Sequence, residues 1–301
     1  MGTLLLTGAS GFTAGHLIPA LVGAGYRVVG TGGRASGPDG LAAYHALDLC
    51  DGAAVRALVA RVRPSYVVHL GGISYVGHGE ALDFYRVNTL GSEHLLAALA
   101  DLPCAPRRVL LASSAAVYGR NAQGCVSEAT AAAPVNHYGL SKLAMEHVGG
   151  NFASVLPLVN MRLFNTTGPG QAETFLIPKL VAHFAARKAR IALGNRAVSR
   201  DFSDIRDMVR AVVGLLEAPL SSAQSGLAVN LASGQAVALA AVLTMLGDLT
   251  GHRLTVDTDP ALVRRDEIPA LWGDTGRLQA LTGWRREYEL RDTLGWMLAR
   301  A

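Results

Sequence analysis

The chain lacks several features that would point to particular kinds of protein. Its three cysteines, Cys50, Cys104 and Cys125, have the spacing of neither a metal site nor a disulfide framework. No apolar run reaches about 18 residues without glycine, proline or charge, so a membrane span is not expected. The net charge of +4 is spread along the chain without a basic block, which argues against nucleic-acid binding. With no basic segment of a signal peptide at its start, the chain is expected in the reducing cytoplasm.

Lysine is also scarce, and one of the three lysines stands in a motif with chemical meaning. Lys179 and Lys188 have no such context, whereas Lys142 follows Tyr138 by four residues. On a helix, residues four apart share one face, so the ammonium would lie beside the phenol. A nearby positive charge lowers the pKa of a tyrosine from its ordinary value of about 10. The pair predicts a general acid–base role for Tyr138 in a nicotinamide-dependent oxidoreductase.

The start of the chain has the pattern of a dinucleotide-binding unit. The short apolar strand predicted at Thr3–Thr7 runs into the glycine-rich stretch Gly8–Gly15. A helix through Ala24 and a second strand over Tyr26–Gly30 are predicted to follow. In such a βαβ unit, N–H groups at the glycine turn and the helix start hold a pyrophosphate.

Further alternation of strands and helices predicts the fold class. Strands are predicted over 65–70 and 108–112, with a helix over 88–100 between them. We therefore expect an α/β fold with a doubly wound parallel sheet, whose ligands gather at the carboxyl ends of the strands. The candidate cofactor-binding residues at these ends are Thr7, Gly8, Ser10, Gly11, Phe12, Leu70, Gly71 and Gly72.

Seven motifs resemble one known family when they are taken in chain order. They are TGASGF, HLGG, SSAAVYG, YGLSK, RLFNTTGPGQ, RDFSDIRD and RRDEIPAL. Together they resemble the extended short-chain dehydrogenase/reductases that act on nucleotide sugars, most closely the GDP-4-keto-6-deoxy-D-mannose reductases and the GDP-mannose 4,6-dehydratases. The resemblance implies a Rossmann domain formed by residues 1–165 with roughly 205–235. A smaller C-terminal α/β substrate domain would comprise residues 166–204 and 236–301.

The resemblance also implies a catalytic set. Ser114, four residues before Tyr118, matches the family's active hydroxyl residue, and it would act with Tyr138 and Lys142. Ser114 would orient the substrate oxygen and Tyr138 would exchange a proton with it. Lys142 would tune the phenol and contact the nicotinamide ribose. Asn88 matches an asparagine beside the catalytic helix, whose role is either structural or catalytic.

Four residues match substrate-binding positions of the family, and a fifth is a further candidate. Asn165 matches a contact to the bound nucleotide sugar, and Ser74 is a candidate for the sugar pocket. Arg200 and Arg264 match arginines on the diphosphate, where bidentate guanidinium–phosphate contacts are suited to the role. Glu267 matches the acid expected on the ribose hydroxyls. The alternative for the arginines is a surface ion pair.

Departures from the family pattern narrow the activity. Ala14 replaces the third glycine of the cofactor motif, a small change that we expect to be tolerated. Ala115 and Ala116 stand where the dehydratases carry an acidic pair, so a dehydration would lack its general acid and base. His137, beside Tyr138, is outside the motif and is expected to pack locally or to face solvent.

Cofactor choice is predicted from the residues after the second strand. An acid there would favour NAD by bonding the ribose 2′-OH, but Thr31–Arg34 contains none. We therefore predict NADP(H) as the preferred cofactor, with NAD(H) still usable and Arg34 on the 2′-phosphate. The alternative is that Arg34 belongs to a mobile loop. Asp48 and Leu49 are predicted beside the adenine.

These observations favour NADPH-dependent reduction of the 4-keto group of a nucleoside-diphosphate 4-keto-6-deoxyhexose, with GDP as the expected nucleotide. The first alternative is a nucleotide-sugar 4-epimerase that holds NAD tightly and uses the same three residues. A second is an inactive member that binds NADP(H) as a sensor or scaffold. By resemblance, a homodimer is expected through a four-helix interface made by residues 88–100 and 138–153.

Overall fold

The computed structural model describes residues 2–121, 123–221, 224–260 and 268–301. The helices are α1 (Phe12–Gly23), α2 (Gly52–Val62), α3 (Ala81–Asp83), α4 (Gly91–Ala100), α5 (His137–Gly150), α6 (Leu176–Ala185), α7 (Ile205–Glu217), α8 (Leu239–Thr250), α9 (Gly276–Thr282) and α10 (Leu290–Leu298). A π-helical turn, Phe84–Leu90, joins α3 to α4, and short 3₁₀ turns span Ala115–Val117 and Gly119–Asn121.

The strands are β1 (Thr3–Thr7), β2 (Arg27–Gly32), β3 (Ala43–Ala46), β4 (Tyr66–His69), β5 (Arg108–Ser114), β6 (Gly124–Val126), β7 (Leu158–Leu163), β8 (Asn165–Thr167), β9 (Arg190–Leu193), β10 (Ser199–Arg200), β11 (Phe202–Asp204), β12 (Leu227–Leu231), β13 (Val237–Ala238), β14 (Thr255–Thr258) and β15 (Ala270–Gly273). Seven of them form one parallel sheet in the order β12-β7-β5-β4-β1-β2-β3.

The large sheet is covered by helices on both faces, which confirms the predicted α/β class. One face packs Leu4 and Leu6 against α1 and α7, and the other packs Leu5 and Val67 against α2 and α4. Consecutive residues of β1 are therefore buried on opposite faces, and its three central residues are all leucine. This is the pattern that a parallel strand buried on both sides requires.

The order of the strands places a crevice at the edge where they end. From β1 the chain builds β2 and β3 on one side, then returns to start β4, β5, β7 and β12 on the other. Ligands of open α/β sheets bind where the strand order reverses, outside the carboxyl ends. In this protein that point lies between β1 and β4, beside the glycine-rich turn.

A smaller part of the molecule packs beside the large sheet. It contains a four-stranded sheet in the order β13-β10-β15-β6 and the two-stranded pairs β11-β8 and β14-β9. Its apolar core is formed by α6, α8 and α10. The chain crosses between the two parts more than once, since β12 joins the large sheet after β9 and β10 have joined the smaller sheets. β6, which lies within residues 1–165, pairs with β15 of the smaller part.

No helix within the described ranges has the length and apolar character needed to cross a membrane.

Candidate active site

The glycine-rich turn is held tightly against the end of β4. Gly8 has φ +68°, a conformation that L side chains rarely adopt. A Cβ added there would lie 2.8 Å from both the Gly71 nitrogen and the Leu70 carbonyl carbon. Glycine is therefore required at this position by its backbone conformation and by the close approach of the two strand ends.

The start of α1 is suited to an anion. Gly11 caps the helix without a side-chain hydrogen bond, so the first N–H groups of the helix receive no protein side chain at the cap. The open glycine turn and the helix N-terminus fit the pyrophosphate of a nicotinamide dinucleotide, which this fold implies. Phe12 begins the helix, and its ring packs edge-on against His16 with centroids 5.3 Å apart. The predicted cofactor residues of this turn are thus gathered at one strand end.

A buried chain of hydrogen bonds ties the two strand ends to the next helix. The Thr7 hydroxyl accepts from the Gly71 N–H (3.0 Å), so it donates its proton to Nδ1 of His69, 2.6 Å away. Nε2 of His69 then donates to Ser92 Oγ (2.9 Å), which donates to the Asn88 carbonyl (2.6 Å). Burial lowers the pKa of His69 to about 3, so the ring stays neutral in this single tautomer.

The side of the site predicted for the adenosine is organised by a tyrosine. The Tyr44 hydroxyl donates to the Arg34 carbonyl (3.0 Å) and lies 3.2 Å from Ser10 Oγ. It therefore joins the loop after β2 to the glycine-rich turn, and the exposed Arg34 follows a fixed backbone. Leu49 lies against Gly71. The exposed Asp48 accepts a hydrogen bond from the Cys50 N–H (2.9 Å).

Ser114 ends β5 and points its hydroxyl at the phenol of Tyr138. The Ala116 N–H donates to Ser114 Oγ (3.1 Å), which leaves the serine proton free to be donated. Ser114 and Tyr138 are hydrogen-bonded through their side chains, and this contact lowers the phenol pKa. Burial has the larger effect and raises the pKa of Tyr138 above its ordinary value. The expectation that Lys142 tunes the phenol toward neutrality is therefore not met in this structure, because burial of the phenol dominates.

Lys142 lies beneath the site between two strand ends. Its helix, α5, is capped by Asn136, whose side chain accepts from the Gly139 N–H (2.8 Å). Lys142 Nζ is buried and donates to the Ala112 carbonyl (2.7 Å). A Cβ placed on Gly72 would lie 3.3 Å from the same nitrogen. Burial lowers the pKa of Lys142 to about 8, so its charge is sensitive to its neighbours.

Asn88 has a clear positioning contact. Its side chain accepts from the Ile73 N–H (2.8 Å) and donates to the Ile73 carbonyl (3.1 Å). It also donates to the Ser141 hydroxyl (3.0 Å), one residue before Lys142. Asn88 thus joins the loop after β4 to the helix that carries Lys142, which favours the structural role among the two considered. Ser74, on the same loop, is exposed.

Two of the predicted substrate residues meet on the same side of the molecule. Asn165 begins β8, two residues beyond the strand position that pairs with Ser114. Its side-chain amide donates to the Asp201 carbonyl (2.8 Å), next to Arg200. The Arg200 guanidinium donates to the carbonyls of Ser199 (2.9 Å) and residue 268 (2.7 Å). Arg264 and Glu267 lie outside the described residues.

Two contacts near the site were not predicted from the sequence motifs. Glu146 and Arg162 form a buried ion pair behind Lys142, and Tyr44 holds the loop of Arg34. The four-residue spacing from Lys142 to Glu146 was visible in the sequence, but the pairing of Glu146 with Arg162 on β7 was not. His137 is exposed and its Nδ1 lies 3.0 Å from the Tyr85 hydroxyl, a local contact of the kind expected.

Comparison with known proteins assigns the chain to a family. The sequence profile of the family described as GDP-mannose 4,6-dehydratase matches residues 5–297. A GDP-6-deoxy-D-talose 4-dehydrogenase of Aggregatibacter actinomycetemcomitans is 30% identical, with 93% of this chain and 91% of that protein covered. A GDP-6-deoxy-D-mannose reductase of Pseudomonas aeruginosa is 31% identical, with 78% of this chain and 80% of the relative covered.

Solved structures agree with this assignment. A structure described as a putative epimerase from Burkholderia cenocepacia is 40% identical with a TM-score of 0.91, covering 99% of this chain and 97% of its own. Other structures similar to this chain were determined with NAD or with NADPH. The chain belongs to the GDP-mannose 4,6-dehydratase family of extended short-chain dehydrogenase/reductases, NAD(P)-dependent enzymes that act on nucleotide sugars.

Proposed function

We propose that the protein reduces the 4-keto group of a nucleoside-diphosphate 4-keto-6-deoxyhexose, GDP-linked, with NADPH. The observation that carries this proposal is the placement of Ser114 at the end of β5 and of Tyr138 in the first turn of α5, one turn before a buried Lys142. Two hydroxyl groups that interact beside the crevice of a dinucleotide fold suit proton transfer to a carbonyl oxygen. When bound, NADPH supplies the hydride for C4.

The protonation state of Tyr138 supports the reductive direction. Because burial raises its pKa, the phenol holds its proton until an oxygen of greater basicity develops beside it. In a reduction, the C4 oxygen gains negative charge as C4 is reduced, and Tyr138 gives that oxygen its proton. Ser114 donates its free proton as a hydrogen bond to the same oxygen, which stabilises charge where it forms.

The two residues that follow Ser114 separate this activity from dehydration. Ala115 and Ala116 offer no group that could remove a proton or protonate a leaving hydroxyl. The family profile carries the name of a dehydratase, but the proposed reaction needs only one proton donor. That donor is Tyr138.

The nucleotide end of the substrate is proposed from two residues and the relatives. Asn165 and Arg200 lie on strands of the smaller part, near the end of β7. Both side chains hydrogen-bond to backbone carbonyls, which holds their orientation. Two relatives are named for GDP-linked 6-deoxy sugars, and this supports GDP as the nucleotide. Arg264 and Glu267 remain predicted contacts to the diphosphate and ribose.

NADPH is the proposed cofactor because the loop after β2 carries no acid and offers Arg34. We expect Arg34→Ala to lower kcat/KM with NADPH by about 10–100-fold, since a charge-assisted bond to phosphate is lost. The efficiency with NADH should change little. Arg27→Ala, an exposed arginine at the other end of β2, is the matched control. An NADH preference that Arg34→Ala leaves unaltered would contradict the proposal.

The activity itself is tested by incubating the protein with GDP-4-keto-6-deoxymannose and NADPH, with the product identified by NMR. We expect NADPH to be consumed in equal amount to a GDP-6-deoxyhexose, and the spectrum reports the configuration at C4. A substrate that stays unreduced with both NADPH and NADH would overturn the proposal.

A 4-epimerase is the second candidate, supported by the description of the Burkholderia structure. Such an enzyme would oxidise C4 transiently with the same three residues and return hydride to the other face. It would retain NAD through purification, which the absorption spectrum of the purified protein shows directly. Interconversion of two nucleotide hexoses without added cofactor would favour this candidate over the reductase.

We also propose the homodimer, formed through α4, α5 and the π-helical turn. Leu90 and Leu140 are 48% and 42% exposed on neighbouring turns of these helices. Thr89 Oγ1 donates to the Ser141 carbonyl (3.0 Å), which holds the two helices together as one surface. A matching surface on a second copy would bury both leucines in a four-helix interface.

Introducing a charge on this surface should separate the copies. We expect Leu140→Asp to halve the molar mass measured by light scattering, because an unpaired carboxylate would be buried at the interface. Val22→Asp, at a 45% exposed valine on α1, is the matched control and should keep the mass of the unaltered protein. If Leu140→Asp has the same mass as this control, the helices do not form the interface.

A further inference from the structure

The face of α5 that carries Tyr138 and Lys142 continues to a third charged group. Glu146 follows Lys142 by four residues, so the three side chains lie one above another on successive turns. The Glu146 and Arg162 side chains are 9% and 10% exposed and form a bidentate pair, with N···O distances of 3.0 and 2.7 Å. A carboxylate so far from water needs this partner.

Glu146 also holds the strand end that carries Ser114. The Ser113 hydroxyl donates to a Glu146 carboxylate oxygen, and Ser113 is the residue before Ser114 on β5. Arg162 comes from the adjacent strand β7, where its guanidinium lies 4.9 Å from the centre of the Tyr118 ring. Glu146 therefore joins one helix to two strands at the edge where the proposed chemistry occurs.

Among the titratable groups around Lys142, Glu146 is the anion that stabilises its ammonium. From β4, His69 is neutral, with a pKa lowered to about 3 by burial. From α5 itself, Tyr138 is a protonated phenol, and Glu146 is the anion that raises the pKa of Lys142 against the effect of burial. From β7, Arg162 is a second buried cation, bound to the same carboxylate. Without Glu146, two cations would share this interior with no anion between them.

From this geometry we infer that Glu146 is a positioning residue for the proposed reduction: it fixes the β5 end at Ser114 and places a carboxylate one helical turn from Lys142. The inference rests on the proposed function only for its kinetic consequence. A protonated Lys142 favours the phenolate that Tyr138 becomes after its proton is given away. Once Lys142 loses its own proton, that support disappears, so turnover should fall on the alkaline side with the titration of Lys142.

The first test measures Lys142 directly and needs no substrate. The chain has three lysines, so protein labelled with ¹⁵N at the lysine side chains gives three Nζ signals to follow against pH. We expect the Lys142 signal to titrate near 8 in the unaltered protein. In Glu146→Gln, which keeps the shape but removes the charge, the midpoint should fall by about one pH unit or more. Glu217→Gln, at the exposed end of α7, is the matched control and should leave it unaltered.

The second test asks whether the charge acts in turnover. The alkaline limb of kcat against pH should move down by the same amount in Glu146→Gln, and Glu146→Asp, which restores the charge, should bring it back. A residue with a merely structural role would lower kcat at every pH and leave the limb in place. If Glu146→Gln does not fold, the double variant Glu146→Gln/Arg162→Met removes both buried charges and takes its place.

The outcomes separate the two proposals. A Lys142 midpoint that stays at its original pH in the folded variant overturns the inference, whatever the substrate is. A lowered midpoint in a protein that reduces no keto sugar supports the role of Glu146 and contradicts the proposed function alone. A lowered midpoint with an unmoved alkaline limb shows that Lys142 does not control turnover, and the kinetic part of the inference then fails.

Discussion

Tyr138→Phe is expected to lower turnover by about 10²–10⁴-fold, the range that a positioned general acid contributes. The variant loses only the phenol oxygen, so the ring keeps its contact with Phe84, whose centroid is 6.1 Å away. Ser114 would still donate to the C4 oxygen, but the phenol proton that the proposed reaction uses would be missing. The rate of NADPH oxidation in a single turnover with the keto sugar measures this step separately from product release.

Two comparisons make the Tyr138 result specific. NADPH affinity, measured by fluorescence titration, should be nearly unaltered in Tyr138→Phe, because the glycine-rich turn and the Arg34 loop do not depend on the phenol. Tyr66→Phe is the matched control. Tyr66 begins β4, so it lies at the amino ends of the parallel strands, away from the proposed site, and it packs against Tyr26. Near-normal turnover in Tyr138→Phe would refute the proton-transfer mechanism.

Gly8→Ala should have the largest effect on cofactor binding and on the free energy of unfolding. A side chain at φ +68° costs about 1–2 kcal/mol in backbone strain alone. Its Cβ would also lie 2.8 Å from backbone atoms of Gly71 and Leu70, which cannot rotate away as a side chain could. The turn must then shift, and we expect NADPH affinity to fall by more than about tenfold, a change of roughly 1.4 kcal/mol.

The measurement is thermal unfolding with and without NADPH. Gly8→Ala should unfold at a lower temperature and should gain little stability from the cofactor, because a ligand stabilises a protein only in proportion to its binding. Gly23→Ala is the control at the end of α1, the helix that follows the turn, at a position with open space around the added methyl. It should be neutral or stabilising by about 0.5–1 kcal/mol. Equal behaviour of the two variants would show that the turn tolerates a side chain.

Where the predicted site depends on short spacing, the structure has the expected local geometry. Tyr138 and Lys142 share a helix face because residues four apart always do, and Ser114 stands at a strand end because an apolar run stops there. The pKa of Tyr138 was predicted in the wrong direction for this structure. Spacing shows which charge is near a phenol, but the cost of burying the phenol depends on the packing of the whole interior.

Partners that are distant in the sequence could not be predicted from one chain. Glu146 on α5 pairs with Arg162 on β7. Tyr44 on β3 lies beside Ser10, in the turn after β1. Each contact joins segments that the sequence separates, and many partners of suitable chemistry compete for each polar group. The pairing of β6 with β15 in the smaller sheet could not be predicted for the same reason. A strand of three residues has too short a pattern to indicate which strand lies beside it.

The sequence by itself determined the α/β class, and it predicted the dinucleotide turn and the proton donor. These depend on local periodicity, on the conformational freedom of glycine and on residue types at short spacing, which are all properties of neighbouring residues. Only the tertiary structure decided which charges surround Lys142, how Ser114 is oriented and why Gly8 tolerates no side chain. Those properties arise from the close approach of β1, β4, β5 and β7 at one edge of the sheet, where burial makes each electrostatic contact stronger.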